Sequence, residues 1–257
     1  MTEPKQPLLY VDKIEKYYGD KSVLTKALDG ICFTVHSGEF IGIMGASGSG
    51  KTTLLNCLSA IDSVSSGHIF LAGKDITKIE GEELALFRRD NLGFVFQDYN
   101  LLDILTCEEN IALPLTIKKL PPAEIVERVR EMSQWLQISE ILKRYPFQVS
   151  GGQKQRCAFA RALICQPKLI MADEPTGALD SNASRILLDI MERRSKETGT
   201  TILMVTHDAF SASYAERILF LQDGRIFHEI QKGNKARKAF YHEILEILSL
   251  LGGETSC

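Results

Sequence analysis

An α/β fold with a mostly parallel core sheet, an antiparallel β subdomain and an inserted helical subdomain is what this sequence predicts. Three observations carry the prediction. Apolar runs recur at 39–44 (EFIGIM), 168–173 (KLIMAD) and 201–205 (TILMV), and each leads through polar residues into helical periodicity. Uninterrupted runs suit strands buried on both faces, and strand–loop–helix repetition sets them parallel, with ligands at their C-terminal ends. Segments 8–13 (LLYVDK), 31–36 (ICFTVH) and 68–72 (HIFLA), split by turn residues, read as antiparallel strands. Between about 98 and 165 strand patterns give way to helical ones.

Taken in order, the run EFIGIM is followed by a glycine, Gly45, and a helical pattern follows from Lys51. The stretch PPAEIVERVREMSQWLQI opens on prolines and then sets Ile125, Val129, Met132, Trp135 and Leu136 on one side of a helix, with Trp135 read as packing. The tail KARKAFYHEILEILSLLGG spaces Phe240, Tyr241, Ile244, Leu245, Leu248 and Leu251 helically, an amphipathic helix stopped by Gly252 that docks on its own domain. The expected division is one domain over 1–257. Residues 1–97 and 166–235 form the catalytic lobe with its antiparallel part, 98–165 the helical subdomain, and 236–257 the terminal helix and tail.

Composition narrows the function classes. Apolar residues make up 44% and charged residues 25%, ordinary for a globular protein. A net charge of -3 provides no global basic field to gather nucleic acid, so no nucleic-acid partner is expected. Apolar runs stay below membrane-span length, and the N-terminus lacks a basic-then-apolar secretion pattern. The six cysteines form no CxxC pair and read as reduced, mostly buried thiols; the five histidines lack metal-ligand spacing.

The chemistry is densest at GASGSGKTT, residues 45–53. Gly45-x-x-x-x-Gly50-Lys51-Thr52, after a strand and opening a helix, is a Walker A loop, the mark of a P-loop NTPase. Backbone amides from Gly45, Ala46, Ser47, Gly48, Ser49, Gly50 and Thr53 can turn around phosphate oxygens, and the helix N-terminus adds positive partial charge. Lys51 brings a full charge to the terminal phosphates of ATP, and the Thr52 hydroxyl is a ligand for Mg²⁺. Asp173 and Glu174 end the strand LIMAD, expected on a strand neighbouring the loop. Asp173 suits Mg²⁺ through water, and Glu174 suits deprotonation of an attacking water. His207, in VTHD, falls at the same level, where a neutral imidazole can bond the γ-phosphate or that water.

A second glycine stretch, VSGGQ at 149–153, leads into another helix expected to begin near Gln153. Together with Walker A, Gln97 in FVFQ, LIMADE (169–174), GALD (177–180) and VTHD (205–208), it resembles in order and spacing an ABC-transporter ATPase subunit over nearly the whole chain. That resemblance implies a head-to-tail homodimer. Walker A of one subunit and Ser150, Gly151, Gly152 and Gln153 of the other sandwich each ATP, Asp180 communicates across the seam, and Gln97 touches Mg²⁺ or the attacking water. Tyr18 matches the aromatic that stacks on adenine, with Tyr17 as the adjacent alternative; stacking leaves GTP open. Val149 stands where leucine is usual.

The stretch GFVFQDYNLLDILTCEENIALPL (93–115) is similar to the MacB-type and Bce-type subgroup, and with the tail looks most like the Bce type. This implies an integral-membrane permease, location at the cytoplasmic face of the membrane through it, and resistance to bacitracin-like peptide antibiotics, often beside a sensor histidine kinase. MacB-like export and lipoprotein release are alternatives. A soluble ABC ATPase acting on nucleic acid or ribosomes is the alternative from another class. The permease contact is placed on Gln97–Leu105, through Tyr99, Leu101 and Leu102, unless the two leucines fill the hinge between lobes.

Overall fold

The computed structural model describes residues 6–20 and 23–253, and of Asp20, Val23 and 251–253 the backbone alone. The chain opens with β1 (Leu9–Asp20) and β2 (Val23–Val35), paired antiparallel with register shifts between Val11 and Tyr17. Both strands outrun the segments the sequence marks. The shifts break the two-residue alternation, so the polar outer half of the pair shows no strand period. Then come β3 (Phe40–Met44), α1 (Lys51–Leu58), β4 (Ser66–Leu71), the two-residue β5 (Lys74–Asp75), α2 (Gly81–Asn91) and β6 (Leu92–Val95).

Three helices follow, with no strand from 98 to 165 among the described residues. They are α3 (Cys107–Ile117), closed at its start by a Thr106–Glu109 capping box, α4 (Pro122–Trp135), opened by prolines, and α5 (Gly151–Leu163). The chain then alternates β7 (Leu169–Asp173), α6 (Ser181–Thr198), β8 (Thr201–Val205) and the single turn α7 (Ala209–Ala212). It ends with the hairpin β9 (Arg217–Gln222) and β10 (Arg225–Gln231) and with α8 (Arg237–Gly253). Gly252 therefore lies inside the final helix and does not stop it.

Two sheets result, β2-β1-β4-β5 and β10-β9-β3-β8-β7-β6. The larger is parallel from β9 to β6, with β10 antiparallel at its edge. Its strands alternate between two cores. Phe40, Met44, Ile170, Ala172, Ile202, Met204, Ile218 and Phe220 face α3–α8. Ile41, Ile43, Leu169, Met171, Leu203, Val205, Leu219 and Leu221 face α1 and the antiparallel sheet. Burial on both faces is why these strands read as continuous apolar runs. Val129 and Leu136 are buried in the helical core, with Ile125, Met132 and Trp135 packed against it. Trp135 is roofed by Arg193 and Arg194, 4.8 and 5.1 Å from its ring. Phe240 and Ile244 dock α8 on the same core, as its amphipathic pattern requires.

Strand order corrects one expectation. β8 lies between β3 and β7, so Asp173 is two strands from the phosphate loop and His207 belongs to the adjacent one. Order in a parallel sheet is set by crossovers, which leave no mark within the strand itself.

Candidate active site

At the C-terminal ends of β3, β8 and β7 lies a cleft of about 730 Å³ lined by residues of the 45–53 loop, Asp173, Glu174 and His207. The loop is held in close contact. A Cβ on Gly45 would stand 2.2 Å from the Leu221 carbonyl oxygen, and Gly50, at φ +102°, would bring one to 2.6 Å from that of Ala27. Glycine is the side chain both positions can take. The amide of Gly224, in the β9–β10 turn, donates to Ser49 O (3.1 Å). Lys51 curls back on the loop, its Nζ donating to Gly45 O (2.8 Å) and Ala46 O (2.7 Å). Burial holds the Lys51 ammonium below its usual pKa, against the opposing pull of Glu174 and Asp173.

The acidic side of the cleft is built by β7. Asp173 ends the strand, and burial, then the Glu174 charge, raise its carboxyl above the ordinary range, with Lys51 opposing. Glu174 follows at φ +45°, a left-handed conformation costly for a residue with a side chain. It is fixed on every side: its amide donates to Val205 O (2.9 Å), Thr206 Oγ1 donates to Oε2 (3.1 Å), and His207 Nδ1 lies 2.8 Å from Oε1. A carboxylate oxygen accepts, so this contact requires a proton on Nδ1. His207 thus lies at the level of the cleft where the sequence reading placed it, in direct contact with Glu174. The Thr52 hydroxyl and Asp173 carboxylate face the same cleft. Among the described residues, no three His, Cys, Asp or Glu side chains gather as a metal cage. Two hard oxygen donors fit Mg²⁺, which keeps waters and shares its shell with phosphates.

Other predicted residues stand apart from this cleft. Gln97 lies on the turn after β6 with its side chain against Gly177, where a Cβ would approach Gln97 Cδ to 3.0 Å. Gln155, fully buried, ties the two segments, its Nε2 donating to Phe96 O (3.0 Å) and Pro175 O (2.8 Å). Ser150 is the N-cap of α5, which begins at Gly151 and not near Gln153; Ser150 and Gln153 form a capping box. The two glycines have separate packing duties. A Cβ on Gly151 would meet the Tyr99 hydroxyl at 2.9 Å, and one on Gly152 the Ala183 Cβ at 2.8 Å. Asp180 caps α6, Oδ1 accepting from the amides of Asn182 and Ala183 (both 2.9 Å). The starts of α5 and α6 thus form one surface. Tyr18 is not among the residues lining the cleft; its hydroxyl donates to Asp62 Oδ2 at 2.8 Å.

Tyr99 is half-buried. It folds inward, its carbonyl taking a bond from Arg161 (3.1 Å) and its ring lying under Lys154 (5.8 Å). Leu101 packs on the core, while Leu102 and Ile104 are exposed, Ile104 at 85%. Buried Asn110 holds this loop through Leu102 N (2.8 Å) and the carbonyls of Leu102, Leu105 and Thr106 (3.0, 3.1 and 3.0 Å). Asn110→Ala strands those groups and should cost about 1–3 kcal/mol, read as a lowered urea midpoint; an unchanged midpoint contradicts the clamp.

The sequence reading missed Lys26, Asp223 and Gly224 as wall residues of the cleft. Asp-Gly between two apolar runs is a hairpin signal that was available for the last two. The chain thus carries a P-loop cleft and, apart from it, a surface shared by two capped helices. A family model described as ABC transporter matches residues 28–177.

The chain belongs to the ABC transporter ATPases.

This cassette is 48% identical to the bacitracin export ATP-binding protein BceA of Halalkalibacterium halodurans, over 96% of this chain and 97% of that one. It is 39% identical to the macrolide export ATP-binding/permease protein MacB of Hyphomonas neptunium, over 91% of this chain but 36% of that longer protein. Among solved structures, it is similar to the dimeric post-hydrolysis state of a Methanocaldococcus jannaschii ATP-binding cassette bound to ADP and Pi. The TM-score is 0.80 and identity 36%, covering 87% of this chain and 98% of that chain. The fold is that of a P-loop NTPase, and the ABC ATPase is of the Bce/MacB type.

Proposed function

We propose that this ABC ATPase drives an integral-membrane permease as a head-to-tail homodimer, at the cytoplasmic face of the membrane, in resistance to bacitracin-like peptides. The observation that supports the reading is a pair of separate surfaces on one chain: a phosphate loop at β3 and the capped starts of α5 and α6. In the two-fold dimer each ATP lies between Lys51 of one copy and Ser150–Gln153 of the other. Tyr18 stacks on the base. Thr52 and Asp173 would hold Mg²⁺, which would supply charge neutralisation at the phosphates. Glu174 takes a proton from the attacking water, whose oxygen bonds to the γ-phosphorus as the bond to the bridging oxygen of ADP breaks. His207 holds the Glu174 carboxylate in place. Gln97, on the Gly177 turn, reports the state of the γ-phosphate to the loop carrying Leu102 and Ile104, which docks the permease. The lobes divide near 98 and 165. A permease-linked sensor histidine kinase fits the same assembly.

Deleting the gene should sensitise its host to bacitracin-class peptides. The wild-type chain should restore resistance and Glu174→Gln should not. Unchanged sensitivity, with the membrane partner still co-purifying, would redirect the reading to MacB-like export or lipoprotein release.

A further inference from the structure

The ring of Tyr18 is 42% exposed, yet it is not free to move. Its hydroxyl donates to Asp62 Oδ2 (2.8 Å). The other oxygen of Asp62 takes a bond from Lys16 Nζ (2.6 Å), which also donates to Ser63 O (2.6 Å). The same ammonium stands 5.0 Å over the Tyr18 ring centroid, and the Lys16 side chain is only 9% exposed. One carboxylate and one ammonium thereby fix the phenol from its tip and from one face. The 61–62 segment is in turn tied to α1, the amides of Ile61 and Asp62 both donating to Asn56 O (3.0 and 3.1 Å). Because α1 begins at Lys51, the ring is referenced to the helix whose first residues carry the phosphate loop.

We propose that Asp62 and Lys16 are positioning residues that hold the Tyr18 ring at a set distance from the phosphate loop, leaving its other face for the base. The proposal rests on the reading that Tyr18 stacks on adenine. A free tyrosine would lose rotamer entropy on stacking; a pinned one has lost it before the nucleotide arrives. The clamp survives mild acid. Lys16 draws the Asp62 carboxyl below its usual range, against burial, and the phenol is raised first by burial and then by its bond to Asp62.

Calorimetric titration of the full chain with Mg-ATP, and separately with Mg-tripolyphosphate, tests this. Tyr18→Ala should weaken ATP about ten-fold or more, within the range of base–aromatic stacking. Tyr18→Phe, which loses only the hydroxyl, and Asp62→Ala should each weaken ATP about three-fold, and the double variant by less than the product of the two, since both break the Tyr18–Asp62 contact. Tripolyphosphate, which has no base, should bind all four variants like the wild type. Unchanged ATP affinity in Tyr18→Ala would overturn the stacking reading and the clamp with it. Normal ATP affinity in Asp62→Ala beside a weakened Tyr18→Ala would overturn the clamp alone. Equal loss of ATP and tripolyphosphate in Asp62→Ala would also overturn it, assigning Asp62 to support of α1.

Discussion

Glu174→Gln should slow steady-state ATP hydrolysis by about 10²–10⁴-fold, the loss typical of removing a general base. The amide keeps the size of the side chain and an oxygen to accept from Thr206 Oγ1, which donates at 3.1 Å in the wild type. Its left-handed backbone, φ +45°, is set by the amide bond to Val205 O and should persist. What disappears is the capacity to accept a proton. Nucleotide binding should remain, and ATP should hold the variant as a dimer long enough to elute early from a size-exclusion column. Preserved turnover would remove Glu174 from the chemistry. An ATP-loaded variant that elutes as a monomer, even when the permease is supplied, would contradict the sandwich.

The second large effect is complementation. Lys51→Ala removes the charge aimed at the terminal phosphates, and Ser150→Arg replaces the α5 cap with a bulky cation. Each homodimer carries its lesion in both composite sites and should be inactive. In a mixed dimer one site collects both lesions and the other has none. Mixing should restore part of the hydrolysis if each site works alone, or ATP-driven dimerisation if hydrolysis needs two intact sites. Loss of the Ser150 cap costs about 1 kcal/mol on its own, so melting curves must show both variants folded. Folded variants that regain neither property would defeat the shared-site arrangement.

The parts of this molecule visible in the sequence are those whose cause is local. EFIGIM, KLIMAD and TILMV announce strands because both faces are buried, and GASGSGKTT announces a phosphate loop because its backbone conformation requires glycine. The Ser150–Gln153 capping box is equally local, whereas the packing of its two glycines on Tyr99 and Ala183 is long-range and leaves no mark in the sequence. Sheet order was out of reach, so the place of β8 between β3 and β7 came as a correction. RILFLQ and RIFHEIQ around Asp223–Gly224 were legible and overlooked. For Tyr99, composition says that its loop is apolar without saying which way each side chain turns. The Lys16–Asp62–Tyr18 contacts join residues far apart in the chain and carry no spacing signature.

β3 acquires both of its hydrogen-bonded neighbours, β8 and β9, from the last quarter of the chain, and the phosphate loop it carries leans on Leu221 and Gly224. On the ribosome, the central strand therefore waits without a partner on either edge until almost the whole polypeptide has emerged. A nascent chain stalled before residue 201 already contains the complete Walker A loop, yet lacks Leu221 and Gly224, on which the loop leans. Long-range pairing of this kind delays folding and leaves apolar strand edges open to other chains. The interval between synthesis of Lys51 and arrival of the β9–β10 hairpin is thus the period in which this ATPase is most in need of a chaperone.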